Sequence, residues 1–205
     1  MALELKTPPA GEPLSLAETQ SYLKTTDPSE TDWINNAIQA VRESCEGFTR
    51  RALKTQTWIL WLDAFQPAHS QIQEIEIPRA PLQSITHVKT YNKHDEATTL
   101  DATHYLMDTS AVPGRLILRE GYCWPTDLRI ARAVEIEFVA GFGDASDVPA
   151  GLRQGMLLWI RLLYANKTWL LDSGVPVPGL TEFNSKDLPL PVRALWDPYR
   201  LPRLG

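Results

Sequence analysis

Apolar residues recur every three or four positions in two long segments of the chain, and this spacing predicts helices. The first segment follows the helix-start signal Asp27-Pro28 and is expected to run to about residue 53. Its apolar stripe consists of Ile34, Ala37, Ile38, Val41, Cys45 and Phe48. The second segment, 147–171, is apolar on nearly all sides. It predicts a long helix that is central to the core or packed against another subunit.

A shorter helix is predicted ahead of these two. Ser15 and Glu18 have the spacing of a capping box, in which each side chain can bond the backbone amide of the other residue. The expected helix runs from about Leu16 to Lys24. Helices are therefore predicted across residues 14–53.

The apolar period changes to two over residues 54–143, and alternation of this kind predicts strands. Val134 and Ile136 fall on one face of the last strand, while Glu135 and Glu137 fall on the other. Five or six antiparallel strands are expected. The segments that carry them are TQTWILWLDAF, IQEIEIP, SITHVKTYNKHDEATTL with a turn at Asn92–Asp95, RLILR, and RAVEIEFVAGFG.

The two ends of the chain are rich in proline and predict arms. Residues 1–13 are expected to be extended, and residues 173–205 to carry one short helix over the letters PVRALWD. The predicted fold class is therefore α+β: N-terminal helices including one long helix, a central antiparallel β region, a long apolar C-terminal helix, and Pro-rich terminal arms. Residues 14–172 are expected to form a single domain.

Composition and charge exclude several classes of protein. The 205 residues are 43% hydrophobic and 22% charged, which is an ordinary globular mixture. A net charge of -5 disfavours electrostatic wrapping of nucleic acid. No apolar run is long enough for a membrane span, and the N-terminal letters do not predict a signal peptide. Cys45 and Cys123 form no CxxC motif and are expected to be buried free thiols of a protein made in the cytoplasm.

The letters AGFGDASDVP join a strand to a helix, as a nucleotide-binding loop would. The chain contains no Gly-Lys pair, so a P-loop is excluded. Asp144 and Asp147 would also place negative charge where a phosphate should bind. A local explanation is better: Gly141 and Gly143 let the chain leave the sheet, and Asp147 is expected to cap the next helix.

No arrangement of residues predicts catalysis, a cofactor or a metal site. The four histidines have no metal-ligand spacing, and the chain has neither an HExxH nor a GxSxG motif. His87 is expected to be an ordinary residue of a sheet surface. The sequence therefore offers no catalytic residue.

Two pairs of glutamates alternate along strands, namely Glu74 with Glu76 and Glu135 with Glu137. Each pair points to one face of its strand. Such a face is either solvated or lines a passage in which like charge keeps DNA sliding without sticking. Both interpretations stay open at the level of sequence.

The order of these elements resembles that of the head–tail connector proteins of tailed bacteriophages, the adaptor or head-completion proteins beneath the portal. The resemblance extends from LSLAETQSYLK to LPLPVRALWDPYR and is carried chiefly by three segments. These are AIQAVRESCEGFTRRALKTQTWILWLDAF, IEIPRAPLQSITHVKTYN and VEIEFVAGFGDASDVPAGLRQGMLLWIRLLYANK.

The resemblance implies a non-catalytic virion protein at the head–tail junction, without cofactors and without a membrane. Such adaptors form a ring on the portal, typically twelvefold, extend the channel for double-stranded DNA and offer a platform to the stopper or tail-completion protein. The alternatives are a stopper or tail-completion protein of the same junction, or a soluble binding module outside any virion. Under the adaptor interpretation, the acidic strand faces would line the DNA channel.

The C-terminal arm carries apolar and aromatic side chains outside the predicted core, and such side chains often anchor protein contacts. The hypothesis is that they bind the portal, and the alternative is that they fold back onto their own subunit. The residues concerned are Leu190, Val192, Leu195, Trp196 and Tyr199.

Overall fold

The structure is a computed structural model that describes residues 1–65, 73–172 and 188–202. Residues 173–187, which belong to the predicted C-terminal arm, and 203–205 lie outside the described residues. The beginning of the predicted strand IQEIEIP lies outside them as well.

Four α-helices lie within the described residues. They are α1 (Leu16–Leu23), α2 (Thr31–Thr49), α3 (Ala150–Asp172) and α4 (Leu190–Trp196). The Ser15 hydroxyl accepts the amide of Glu18 at 3.1 Å, which confirms the predicted cap of α1. A 3-10 turn, Pro28–Glu30, precedes α2. Helix α2 is capped at its C-terminus by Arg50, which has the left-handed conformation with φ 59°.

The predicted long apolar C-terminal helix is wrong. The C-terminal helix of the fold is α4, whose seven residues are followed by a 3-10 turn of three, Asp197–Tyr199. The leucine-rich segment forms α3, which precedes α4 and is apolar on one side rather than all round. Met156 and Ile160 are fully buried, whereas Gln154 and Arg161 are exposed. Because leucine is so frequent in this segment, the sequence pattern predicted a helix without a polar side.

Eight strands lie within the described residues, more than the five or six expected, and they form two sheets. They are β1 (Ala2–Thr7), β2 (Gln56–Leu62), β3 (Glu74–Ile77), β4 (Leu82–Tyr91), β5 (Ala97–Thr99), β6 (Tyr105–Asp108), β7 (Gly114–Leu118) and β8 (Val134–Ala140). All the pairings are antiparallel. The α+β class is therefore retained with a different division of the strands.

The first sheet has the order β1-β2-β8-β4-β5. Its first strand comes from the predicted N-terminal arm, because residues 2–7 pair with β2. The predicted hairpin is confirmed, with Tyr91 opposite Ala97 on either side of the turn. On β8, Val134, Ile136 and Phe138 are fully buried and form the core face of the sheet.

The second sheet has the order β3-β7-β6. Its central strand β7 pairs Leu116 with Ile75 on one side and with Met107 on the other. Leu116 is fully buried, so one face of this small sheet also contributes to a core.

The chain divides into two compact units. Among the described residues, one contains 1–10, 54–65, 73–142 and 201–202, with both sheets. The other contains 11–53, 143–172 and 188–200, with the four helices. The core of the helical unit includes Ile34, Ile38, Leu152, Met156 and Trp196.

The turn after β8 explains the glycines that resembled a nucleotide loop. Gly141 has φ 135°, and a β-carbon there would lie 2.2 Å from the carbonyl oxygen of Lys54, so only glycine fits. The carboxylate of Asp147 accepts the amide of Asp144 at 2.8 Å inside the turn. Because α3 begins only at Ala150, Asp147 is not the residue that directly precedes it.

The two cysteines differ in environment. Cys45 is buried, as predicted, and burial raises the pKa of its thiol. Cys123 is exposed, contrary to prediction, because it lies in the long loop between β7 and β8 rather than in an element.

Candidate functional site

The acidic face of β8 forms a charged cluster instead of a solvated surface. Glu135 is only 8% exposed and Glu137 only 7%. Each lies between the neighbouring strands: Glu135 is opposite Trp61 and Lys89, and Glu137 is opposite Ile59 and His87. Long side chains on both flanking strands therefore cover the carboxylates. We call Lys6, His87, Lys89, Tyr91, Glu135 and Glu137 the β8 cluster.

Glu135 is held by three side chains of β4. Its carboxylate lies 2.8 Å from His87 Nε2, accepts the Tyr91 hydroxyl at 2.5 Å, and lies 3.8 Å from Lys89 Nζ. Burial alone would raise the pKa of Glu135, but the hydrogen bonds from Tyr91 and His87 outweigh it, so the pKa is lowered. The same hydrogen bond raises the pKa of Tyr91.

Glu137 joins the N-terminal strand to the cluster. Its carboxylate accepts a hydrogen bond from Lys6 Nζ at 2.6 Å and lies 3.7 Å from His87 Nδ1. His87 thus contacts both glutamates and is not the ordinary sheet-surface residue that was expected. Lys6 and Glu137 are 131 positions apart, so this contact ties β1 to the middle of the sheet.

Three residues of the cluster could in principle hold a metal ion. His87, Glu135 and Glu137 each offer one ligand atom, and these atoms lie within 4.8 Å of one another. A cation there would compete with Lys6 for Glu137 and with Lys89 for Glu135. Because lysines already neutralise the carboxylates, the cluster is best explained as a structural charge network.

Glu74 and Glu76 lie in different surroundings from the β8 pair, on the exposed side of the edge strand β3. Arg115 bridges Glu74 at 2.9 Å and Asp108 at 2.7 Å across three strands. Hydrogen bonds from Ser110 and Arg115 hold the pKa of Asp108 well below its usual range. The four predicted glutamates therefore do not form one acidic face.

The C-terminal residues divide into buried and exposed positions. Val192 and Trp196 are fully buried in their own unit, which corresponds to the fold-back alternative for these two. Leu195 and Tyr199 are half-buried, and Leu190 is 79% exposed.

Trp196 is the anchor of this segment. Its indole Nε1 donates to the carbonyl oxygen of Leu152 at 3.2 Å, and its ring lies 6.2 Å from that of Trp159 and from that of Phe48. Nearby, Arg51 Nε donates to the carbonyl of Tyr199 at 2.6 Å. Trp196 and Tyr199 are thus fastened at different points of the helical unit.

One exposed apolar feature was missed at the level of sequence. Leu106 and Met107 on β6, and Val112 in the turn before β7, are 47%, 37% and 56% exposed. The signal was weak because β6 has only four residues and its two central residues are both apolar, so no alternation marks it as a strand.

An open depression lies near the same hairpin, with a volume of 520 Å³ and a lining of Thr103, Arg119, Glu120 and Tyr122. The Tyr122 ring stacks on His104 at 4.2 Å. The hydroxyl of Thr103 donates to the carboxylate of Asp101 at 2.8 Å, rather than to a residue of this lining. Among the described helices, none combines the length and the apolar character needed to cross a membrane.

Comparison with known proteins identifies the fold. No protein-family model matches the chain, and no curated protein matches it. Solved structures do match over the full length. A chain from the neck of an empty gene transfer agent particle, computed with C6 symmetry, is 23% identical with a TM-score of 0.73. The match covers 100% of this chain and 98% of that chain.

The chain has the fold of these particle proteins. A chain from the virion of a native gene transfer agent is 23% identical with a TM-score of 0.75, and one from the neck of the native particle, computed with C12 symmetry, is 24% identical with a TM-score of 0.67. Both matches also cover 100% of this chain and 98% of the other. At the level of fold, the predicted resemblance to a protein of a phage-like particle is confirmed.

Proposed function

We infer that this chain is a structural component of the neck of a phage-like particle. The observation that carries this proposal is the full-length likeness to chains of gene transfer agent neck and virion structures. The likeness includes both compact units. The protein would be synthesised in the host cytoplasm and incorporated into the virion.

Within the neck, the proposed role is that of an adaptor. The chain would form a homo-oligomeric ring under the portal, extend the channel for double-stranded DNA and offer a platform to the stopper or tail-completion protein. The symmetries of the similar necks, sixfold and twelvefold, support a ring, and twelve copies are proposed here. A stopper or tail-completion protein of the same junction is the alternative.

No catalysis is assigned to the chain. The carboxylates of the β8 cluster are neutralised by Lys6 and Lys89 and are buried against the sheet. Its contacts support a role in holding β1, β8 and β4 together.

For portal binding, we assign the exposed side of the C-terminal segment. Val192 and Trp196 would fix the segment to its own unit, while Leu190, Leu195 and Tyr199 would face the portal. This division is supported by their burial, since a side chain that is already buried cannot also insert into a partner.

For the DNA channel, the exposed pair Glu74 and Glu76 is the better candidate. Their negative charge would repel phosphates and prevent DNA from sticking. Glu135 and Glu137 are poor candidates, because both are buried.

Cross-linking of purified particles, followed by mass spectrometry, tests the adaptor role. Cross-links between the C-terminal segment and the portal are expected. Cross-links to tail proteins without any to the portal would favour the stopper alternative. Absence of the chain from particles would contradict a neck function and favour a soluble binding module.

A further inference from the structure

We propose that the outer edge of β6 is a contact surface for a second copy of this chain. The surface consists of Leu106 and Met107 on β6 and Val112 in the adjoining turn, and we call it the β6 edge. The proposal rests on the ring inferred above and names a surface through which neighbouring copies would meet.

The first observation is the position of the exposed apolar side chains. Leu106, Met107 and Val112 lie within seven consecutive residues of one hairpin. Because consecutive side chains of a strand point to opposite faces, Leu106 and Met107, 47% and 37% exposed, present apolar surface on both faces of β6. A partner that wraps the edge would cover both at once.

The second observation is the direction of the backbone groups. The amide of Arg119 donates to the carbonyl of His104 at 2.9 Å, so these opposed residues form a hydrogen-bonded pair. In an antiparallel ladder such pairs alternate, and Met107, opposite Leu116, belongs to the other kind. The N–H and C=O of Met107 therefore point away from β7, as an added strand would require.

The third observation is a difference between the two edges of the same sheet. Natural edge strands are protected by charges, and β3 has two of them, Glu74 and Glu76. On β6 the single charged residue is Asp108, whose carboxylate is bonded to Arg115 and Ser110. Arg115 also bonds Glu74, but β3 carries two acidic residues and β6 only one, so the β6 edge is the less protected of the two.

Charge favours a second copy as the occupant. Each copy carries a net charge of -5, so like copies repel and must meet where little uncompensated charge is present. The hairpin Tyr105–Leu118 meets that condition, since its two charged residues, Asp108 and Arg115, pair with each other at 2.7 Å. In a ring the contact is heterologous, so the β6 edge of one copy would meet a different surface of the next.

The test measures the self-association of the full chain, up to millimolar concentration, by sedimentation and native mass spectrometry. Leu106→Lys should weaken association roughly tenfold or more, as for a central interface residue. Ile130→Lys is the matched control, because Ile130 is 98% exposed in a loop and the charge change is identical. Both variants reduce the net negative charge, so greater repulsion cannot explain a loss.

Met107→Pro provides an independent variant, because it removes an N–H that points away from the sheet. It should weaken association as Leu106→Lys does. Circular dichroism and thermal unfolding of each variant establish that the monomer is folded.

Either of two results would overturn the proposal: a folded Leu106→Lys variant that associates like the wild type, or a wild-type chain that stays monomeric at millimolar concentration. The proposed function is tested separately by the cross-links in particles. If cross-links to the portal are found but Leu106→Lys associates normally, the proposed function is supported and only the proposal for the β6 edge is contradicted.

Discussion

The indole of Trp196 lies directly against the backbone of Gly155: a β-carbon at Gly155 would come within 2.2 Å of Nε1 of Trp196. The absence of a side chain at Gly155 therefore allows α4 to pack closely on α3. The hydrogen bond from Trp196 to Leu152 fixes the orientation of the ring. The C-terminal segment, which proline content alone made look like a free arm, is an integral part of the helical unit.

Gly155→Ala should therefore destabilise the protein. Overpacking costs about 1–3 kcal/mol, and for so close an approach we expect a cost in the upper part of that range, above the roughly 1 kcal/mol that alanine adds to helix stability. Chemical denaturation measures the change in the free energy of unfolding. The matched control is Gly47→Ala in α2, where a β-carbon would meet nothing within 4 Å, and this variant should be as stable as the wild type or more so.

The contact between Lys6 and Glu137 should stabilise the docking of β1. Lys6→Met leaves the buried carboxylate of Glu137 without its closest cation, and we expect a loss of about 1–2 kcal/mol in the free energy of unfolding. Faster hydrogen exchange in β1 and β2 should accompany the loss.

Lys93→Met is the control for that experiment. Lys93 and Asp127 also form an ion pair, at 3.0 Å, but both side chains are mostly exposed. Surface pairs of this kind contribute about 0–1 kcal/mol. Equal losses in the two variants would contradict a special role for the β8 cluster.

The lowered pKa of Glu135 predicts a dependence of stability on pH. A carboxyl whose folded pKa lies below its unfolded value contributes stability above the unfolded pKa, about 4.3, and loses it as the pH falls through the folded pKa. Tyr91→Phe removes a hydrogen bond that lowers this pKa. The variant should therefore be less stable at neutral pH and lose less stability on acidification than the wild type.

The measurement is the free energy of unfolding of the wild type and Tyr91→Phe between neutral pH and about pH 2, where the carboxyls protonate. Tyr122→Phe, at an exposed tyrosine, is the control and should follow the wild-type curve. Parallel curves for Tyr91→Phe and the wild type would show that Glu135 does not depend on Tyr91.

Leu190 and Val192 should separate portal binding from folding. Leu190→Ser changes an exposed side chain, so it should leave the unfolding temperature unchanged while weakening the binding of purified portal. Val192→Ser changes a buried side chain and should lower the unfolding temperature. Undiminished portal binding by Leu190→Ser would remove Leu190 from the proposed surface.

Local sequence signals predicted much of the fold, and their success follows from short-range physics. The cap at Ser15, the hairpin between β4 and β5, and the core face of β8 each depend on residues close together in the chain. The missed elements depend on distant partners. Residues 2–7 become a strand only because β2 pairs with them, and β6 is too short to show a period.

The candidate site was predictable only in part for the same reason. Alternation correctly placed Glu135 and Glu137 on one face of β8, yet nothing local indicates that Lys6 and His87 cover that face. Likewise, the apolar residues of the C-terminal segment were recognised as anchors. Which of them are buried depends on the space that Gly155 provides for Trp196.

The copy number of this chain in purified particles, measured against the portal by quantitative mass spectrometry, tests the central claim most directly. A neck adaptor should be present in a ratio to the portal near one to one, as matching rings require. Hundreds of copies per particle would instead indicate a tail-tube or shell component, and absence from the particle would contradict a structural role in the neck.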